Sequence, residues 1–142
     1  MARLRHSWAL GIFAVALLSG CGGSSDKTDN EKIKGIWTMV SGEARGKVKP
    51  LDPSFRLILS PDGSFELRQE GPDGEIKGTY KIDMAKNPKQ IDLMFAGDGG
   101  IFGIFAFENQ NLKLCIGRPD RPTAFATTSK GREDTLLILK KG

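Results

Sequence analysis

From residue 33 onward, apolar side chains recur at every second position rather than every third or fourth. That period puts successive residues on opposite faces of a strand and predicts β-structure over the whole stretch. Eight strands are expected, over 33–42, 55–59, 64–70, 75–83, 90–96, 101–108, 112–117 and 136–140. The alternation is cleanest in the middle. Phe65 and Leu67 oppose Glu66, Arg68 and Glu70, and Ile76, Gly78, Tyr80 and Ile82 oppose Glu75, Lys77, Thr79 and Lys81. Turn chemistry separates the strands. In Ser60-Pro61-Asp62-Gly63, proline sets φ at one central position and glycine accepts a positive φ. Gly71-Pro72-Asp73-Gly74, Gly97-Asp98-Gly99-Gly100 and Asn109-Gln110-Asn111 turn the chain again. Residues 123–134 are less regular, with Thr127-Thr128-Ser129 a short turn or one helical turn. Eight short strands in hairpin succession, with no long helix, predict an all-β fold: a small eight-stranded antiparallel up-and-down barrel. Closure removes exposed edges. A sandwich of the same strands has the same period and stays open as the alternative.

Before residue 33 the pattern changes. Arg3 and Arg5 precede a short apolar run from Trp8 to Leu18, and the run ends in Leu18-Ser19-Gly20-Cys21. A bilayer span needs ~20 apolar residues, so this run matches a cleaved export signal instead. The four-residue ending is a bacterial lipobox, in which the Cys21 thiol takes the lipid and becomes the new amino terminus. Two or three acyl chains anchor stably where one is marginal. Residues 1–20 are therefore expected to be a lipoprotein signal, 21–32 the lipidated cysteine and a flexible polar tether, and 33–142 the barrel domain. The expected location is the cell envelope, lipid-anchored to a membrane and facing the periplasm or the surface. Gly22 rather than Asp after the cysteine favours the outer membrane by the sorting pattern of well-studied Gram-negative bacteria.

Composition narrows the chemistry. Arg3 and Arg5 leave with the signal, so 19 basic and 17 acidic residues remain of the 21 and 17 in the full chain, about +2. The basic residues are scattered, which gives nucleic-acid binding no support. With Cys21 lipidated, Cys115 stands alone; no intramolecular disulfide is possible, and the thiol is expected to be buried and inert. The sole histidine, His6, is in the signal, so a Ser-His-Asp or Cys-His machine is excluded from the mature protein. No ligand spacing suggests a metal, and Asp62-Gly63 and Asp73-Gly74 lack the alternating acidic run of a calcium loop. Asp92 and Glu66 stand on different strands with nothing to place them at one site as a catalytic pair. A non-catalytic protein with no cofactor is expected.

Four stretches carry a likeness. They are Gly35-Ile36-Trp37-Thr38-Met39-Val40-Ser41-Gly42-Glu43; Gly78-Thr79-Tyr80-Lys81-Ile82-Asp83 with Asn87-Pro88-Lys89-Gln90-Ile91-Asp92-Leu93; Gly103-Ile104-Phe105 with Leu112-Lys113-Leu114-Cys115; and Arg118-Pro119-Asp120-Arg121-Pro122-Thr123-Ala124-Phe125. In this order they resemble a lipocalin-like domain family of planctomycete-type bacterial lipoproteins, over nearly all of residues 33–141. The Gly35-x-Trp37 pair is also similar to the first-strand signature of lipocalins proper. That resemblance implies that Trp37 packs across a closed barrel end under a basic residue of the last strand, with Lys140 the first candidate and Arg132 the second. It implies a fold and brings no catalytic residues.

The function then turns on whether the barrel is hollow. The inferred inner face includes Phe55, Leu57, Leu67, Ile76, Leu93, Phe95, Leu114 and Ile116, with Phe102, Ile104, Leu136 and Ile138. These are large, and Gly78 and Ala106 are the only clear small residues in mid-strand, so a filled core and a small apolar pocket both remain open. If hollow, the barrel is expected to take a small hydrophobic ligand lined by Trp37, Phe65, Tyr80, Phe102 and Ile104. If filled, it is expected to be a structural or interaction module contacting an envelope protein. Strand 101–108 is apolar on both faces, so its second face is either covered by the Pro53 or Pro122 connection or exposed to a partner, with Leu137 and Leu139 extending it. Arg118 and Arg121 are either solvated loop charges or a grip on an anionic group.

Overall fold

The structure, a computed structural model, describes residues 29–142 apart from Asp73 and Ser129. Residues 1–28, with the lipobox Cys21 and most of the expected tether, lie outside the described residues. Among the described residues are nine strands: β1 (Gly35–Ala44), β2 (Lys47–Val48), β3 (Arg56–Leu59), β4 (Ser64–Arg68), β5 (Glu75–Asp83), β6 (Lys89–Phe95), β7 (Gly100–Glu108), β8 (Asn111–Arg118) and β9 (Glu133–Lys141). All pairings are antiparallel. From β3 to β9 each strand pairs with the next, β3 pairs with β1, and β9 returns to β1. The sheet is therefore closed: an eight-stranded up-and-down barrel of lipocalin-like shape, with β2 as one extra strand beside the far end of β1. The sandwich alternative falls away. All eight expected strands are present, with ends shifted by one to three residues where they differ.

Turn residues behave as their chemistry dictates. Gly63 sits at φ 91° in the β3–β4 turn, and the Asp62 carboxylate accepts from the Ser64 N–H at 2.9 Å and from its hydroxyl at 2.6 Å. The short β2 was not legible from the period. It is created by the Arg45-Gly46 turn, both residues at positive φ, which folds Lys47 and Val48 back onto Glu43 and Ala44.

Register decides which face is inside. Leu93 lies opposite Ile101, Ile91 opposite Gly103, and Ile116 opposite Thr135. Together with Trp37, Leu57, Leu59, Phe65, Phe105, Leu112, Leu114, Leu137 and Leu139, the residues of this face form the core. Phe102, Ile104, Ala106, Leu136 and Ile138 belong to the opposite face and point outward, against the expectation. The physical reason is that β7 and β9 are apolar at consecutive positions. A two-residue period without polar partners has no phase, and a one-residue error exchanges the faces.

One end of the barrel is plugged. Residues 29–32, expected to be tether, form a single helical turn, and Ile33, expected to open the first strand, follows it fully buried. The Ile33 N–H donates to the Asp29 carbonyl at 3.1 Å, and the Trp37 indole N–H donates to the Ile33 carbonyl at 2.8 Å. The cation over the indole is Lys141, with Nζ 4.5 Å from the ring centroid. It is neither Lys140 nor Arg132, because Lys141 is the residue directly opposite Trp37, while Lys140 faces outward beside Thr38. Every barrel strand has two partners, and the core draws only on residues 33–139, so the domain carries its own folding determinants. No helix of the described residues is long and apolar enough to cross a membrane.

Removing the plug side chain tests this account. Ile33→Ala empties a fully buried site and is expected to cost about 2–5 kcal/mol in urea unfolding. A loss below about 0.5 kcal/mol would mean that Ile33 is not part of the cooperative core.

Candidate ligand-binding site

The two ends of the barrel differ. The plugged end is filled by large side chains, among them Trp37, Leu59, Phe105 and Leu112, all at most 1% exposed. The other end holds a cavity of about 400 Å³, in the range of small-molecule pockets. Every barrel strand contributes to its wall: Met39, Leu57, Leu67, Ile76, Leu93, Phe95, Ile101, Leu114, Ile116, Thr135 and Leu137. The wall is apolar because these are the inward positions of alternating strands. Gly103 stands inward opposite Ile116 and Gly42 opposite Leu137, and both are close approaches rather than open space: a Cβ at 103 would meet the Cys115 carbonyl oxygen at 2.7 Å, and one at 42 the Met39 Cε at 2.5 Å. Gly78 is inward as expected. A Cβ there would meet the Met94 carbonyl oxygen at 1.8 Å, so only glycine fits this approach. Ala106, the other small residue expected inside, is outside.

The rim is polar: Lys49, Asp52, Gln69 and Arg118, with Pro50 beside them. Asp52 ties two rim loops together. Its carboxylate accepts from the Ser54 hydroxyl at 2.6 Å, the Ser54 N–H at 2.9 Å and the Glu70 N–H at 3.0 Å. The Ser54 hydroxyl chiefly, and then the Glu70 N–H, hold its pKa below the ordinary carboxylate value.

None of the five residues expected to line a pocket lies on this wall. Trp37 and Tyr80 belong to the plugged end, where the Tyr80 hydroxyl donates to the Ser60 carbonyl at 2.7 Å and burial raises its pKa. Phe65 is buried with its ring across Gly78. Phe102 and Ile104 are on the outer face of β7. Met39, Leu57, Leu67, Ile76, Leu93, Phe95, Leu114 and Ile116 stood on the inferred inner face, while Ile101 and Leu137 were read on the opposite face of β7 and β9 and Thr135 was not named; choosing among the inner residues needed the knowledge of which end is open. Apart from Arg118, the rim residues were missed. Their signal is nearness to the longer connections, which cluster at one end of an up-and-down barrel.

The outer apolar face of β7 is covered, and the cover is the Pro122 connection. Arg121 fastens it. Its guanidinium donates to the Ile91 carbonyl at 3.1 Å, the Gly103 carbonyl at 2.9 Å and Asp92 Oδ1 at 2.6 Å, and lies 5.5 Å from the Phe102 ring centroid. Arg121 is thus a structural clamp and not a solvated charge. Further along, the Thr127 hydroxyl donates to Glu43 at 2.5 Å, and Arg132 pairs with the buried Asp134 at 2.9 Å. The hydrogen bond that its guanidinium donates to Asp134 raises the Arg132 pKa. Asp92 is occupied by Arg121 and Glu66 by Arg68 at 2.8 Å, with β5 between their strands, so the two carboxylates form no pair. Cys115 is buried under the same cover, its thiol 3.8 Å from the Ala126 carbonyl, and burial pushes its pKa up. Among the described residues no group of three or more His, Cys, Asp or Glu could hold a metal.

No protein-family model matches the chain, and no curated protein or solved structure is significantly similar to it. Fold and site together define the class: a closed antiparallel barrel plugged at one end, with an apolar cup open at the other.

Thiol labelling checks the cover. Arg121→Ala removes the clamp, and Cys115 is expected to react with a thiol reagent at least tenfold faster at neutral pH than in the parent, whose thiol is buried and held protonated. Equal rates in a folded variant would show that Arg121 does not hold the segment down.

Proposed function

We propose that this protein is a lipid-anchored binding protein of the cell envelope, which takes a small hydrophobic molecule into the open end of its barrel without transforming it. The observation that carries the reading is the cavity of about 400 Å³ walled by apolar side chains from all eight barrel strands. Apolar surface held away from packing partners gains free energy when a ligand covers it, at roughly 25 cal/mol per Å². The anchor rests on the lipobox at Cys21, and Gly22 favours the outer membrane. Residue 29, the first described residue, lies at the plugged end. The alternative, a filled interaction module, has less support: the barrel is hollow, and the apolar outer face of β7 that would meet a partner lies under residues 119–127.

Two substitutions test the two halves of this proposal. Ile101→Trp places a large ring in the cavity and is expected to reduce uptake of an apolar fluorescent probe at least tenfold while leaving the fold intact. Undiminished uptake would place the ligand elsewhere. Cys21→Ser is expected to leave an unprocessed precursor without lipid in its own cells; normal maturation would mean an ordinary export signal.

A further inference from the structure

Among the described residues five large apolar side chains are exposed, and four of them lie on one side of the barrel. Ile36 (44% exposed) and Val40 (42%) belong to β1, Val48 (82%) to β2, and Leu51 (59%) to the connection from β2 to β3. Register accounts for the first three. Trp37 points inward, so Ile36 points outward, opposite Ile58 of β3. Val40 is the extra residue of the bulge between Met39 and Ser41, and Val48 lies opposite the outward Glu43. An apolar stripe therefore runs along the outside of β1 from the plugged end to the β1–β2 turn. The connection that covers β7 leaves this stripe bare.

The polar neighbours of the stripe are cationic. Thr38, part-way along it, has Arg56 of β3 on one side and Lys140 of β9 on the other, and Lys47 is exposed next to Val48. None of these three cations makes an ion pair among the described residues. Arg56 donates to the Pro53 and Phe55 carbonyls, which leaves its charge uncompensated. The carboxylates on this side are engaged: Glu43 accepts from Thr127, Glu66 pairs with Arg68, and Glu133 with Arg45.

We infer that this side of the barrel docks on the anionic head groups of the membrane that carries the anchor. Ile36, Val40, Val48 and Leu51 meet the interface, and Lys47, Arg56 and Lys140 meet the head groups. The inference rests on the proposed anchor at Cys21 and adds an orientation: the domain lies on its side, with the barrel axis along the membrane. Contiguous exposed apolar side chains mark an interaction surface. A bilayer surface is the occupant that takes up both components, because apolar groups enter the head-group boundary while cations meet anionic lipids. Position fits as well. β1 follows directly on residues 29–34, and seven residues separate Asp29 from Cys21. At no more than about 3.5 Å per residue that length reaches about 28 Å at most. A lipid on Cys21 therefore keeps the start of the stripe within that distance of the membrane.

Co-sedimentation of residues 24–142 with vesicles tests this surface without the anchor. Binding to an equal mixture of phosphatidylcholine and phosphatidylglycerol is expected to be at least about tenfold tighter than to phosphatidylcholine alone, and added salt is expected to release it. Val48→Asp and the double variant Lys47→Glu with Lys140→Glu are each expected to weaken binding by about fivefold or more, at an unchanged urea midpoint. Lys81→Glu, at an exposed cation three strands away on β5, is expected to leave binding unchanged. Undiminished binding of Val48→Asp and of the double variant would overturn the assignment to this face. An equal loss in Lys81→Glu would show that net charge acts rather than this face. Equal binding to both vesicles would overturn the role of the cations. Binding to neither would overturn the docking surface, while the anchor stands or falls separately on the processing of Cys21→Ser.

Discussion

The pairing of β1 with β9 is the constraint on which the rest of this structure depends. Without it the eight strands form an open curled sheet with two edges and no inside. Trp37 sits on that seam, opposite Leu57 of β3 on one side and Lys141 of β9 on the other. Its indole N–H holds the Ile33 carbonyl, while the Lys141 ammonium lies over its ring and donates to the Lys32 and Lys34 carbonyls at 2.5 and 2.6 Å. One cluster therefore fastens the first strand, the last strand and the plug. The cation–π contact itself is worth only about 0.5–1 kcal/mol at an exposed lysine. Its geometric effect is larger, because it fixes the register at the place where the chain's two ends meet. Partial burial lowers the Lys141 pKa.

Closure at the plugged end leaves the other end free to be different. Near the plug, large side chains meet across the axis and exclude water. Toward the mouth, a bulge between Met39 and Ser41 shifts the β1 register. The longer connections gather around the mouth and are tied down by polar contacts, Asp52 to Ser54 and Glu70 on one side and Thr127 to Glu43 and Gly46 on another. The cup thus stands on a rigid base, with its chemistry at a braced rim.

How much of this was legible in the sequence follows from where the period had a phase. In β4 and β5 charged residues alternate with apolar ones, and both strands and faces could be read directly. In β7, Ile101 to Phe107 is apolar throughout, and in β9, Leu136 to Leu139 likewise, so only register with β6, β8 and β1 assigns the faces. That is why the period puts Phe102 and Ile104 inside; the basic residue over the Trp37 ring, expected at Lys140, is set by register at Lys141. The cover over β7 could be named as one of two proline connections. The Arg121 clamp could not be foreseen, because its partners, Asp92 and two carbonyls, lie in strands 18 to 30 residues away. The cavity itself is a property of packing, and no residue pattern announces it.

The central claim is that the open end of the barrel is an apolar cup that holds a ligand. Its most direct test is a native mass spectrum of residues 24–142 after exposure to a lipid extract of the protein's own cells. The account predicts one added mass per domain, belonging to a single lipid class. A bare protein mass across the whole extract would contradict it.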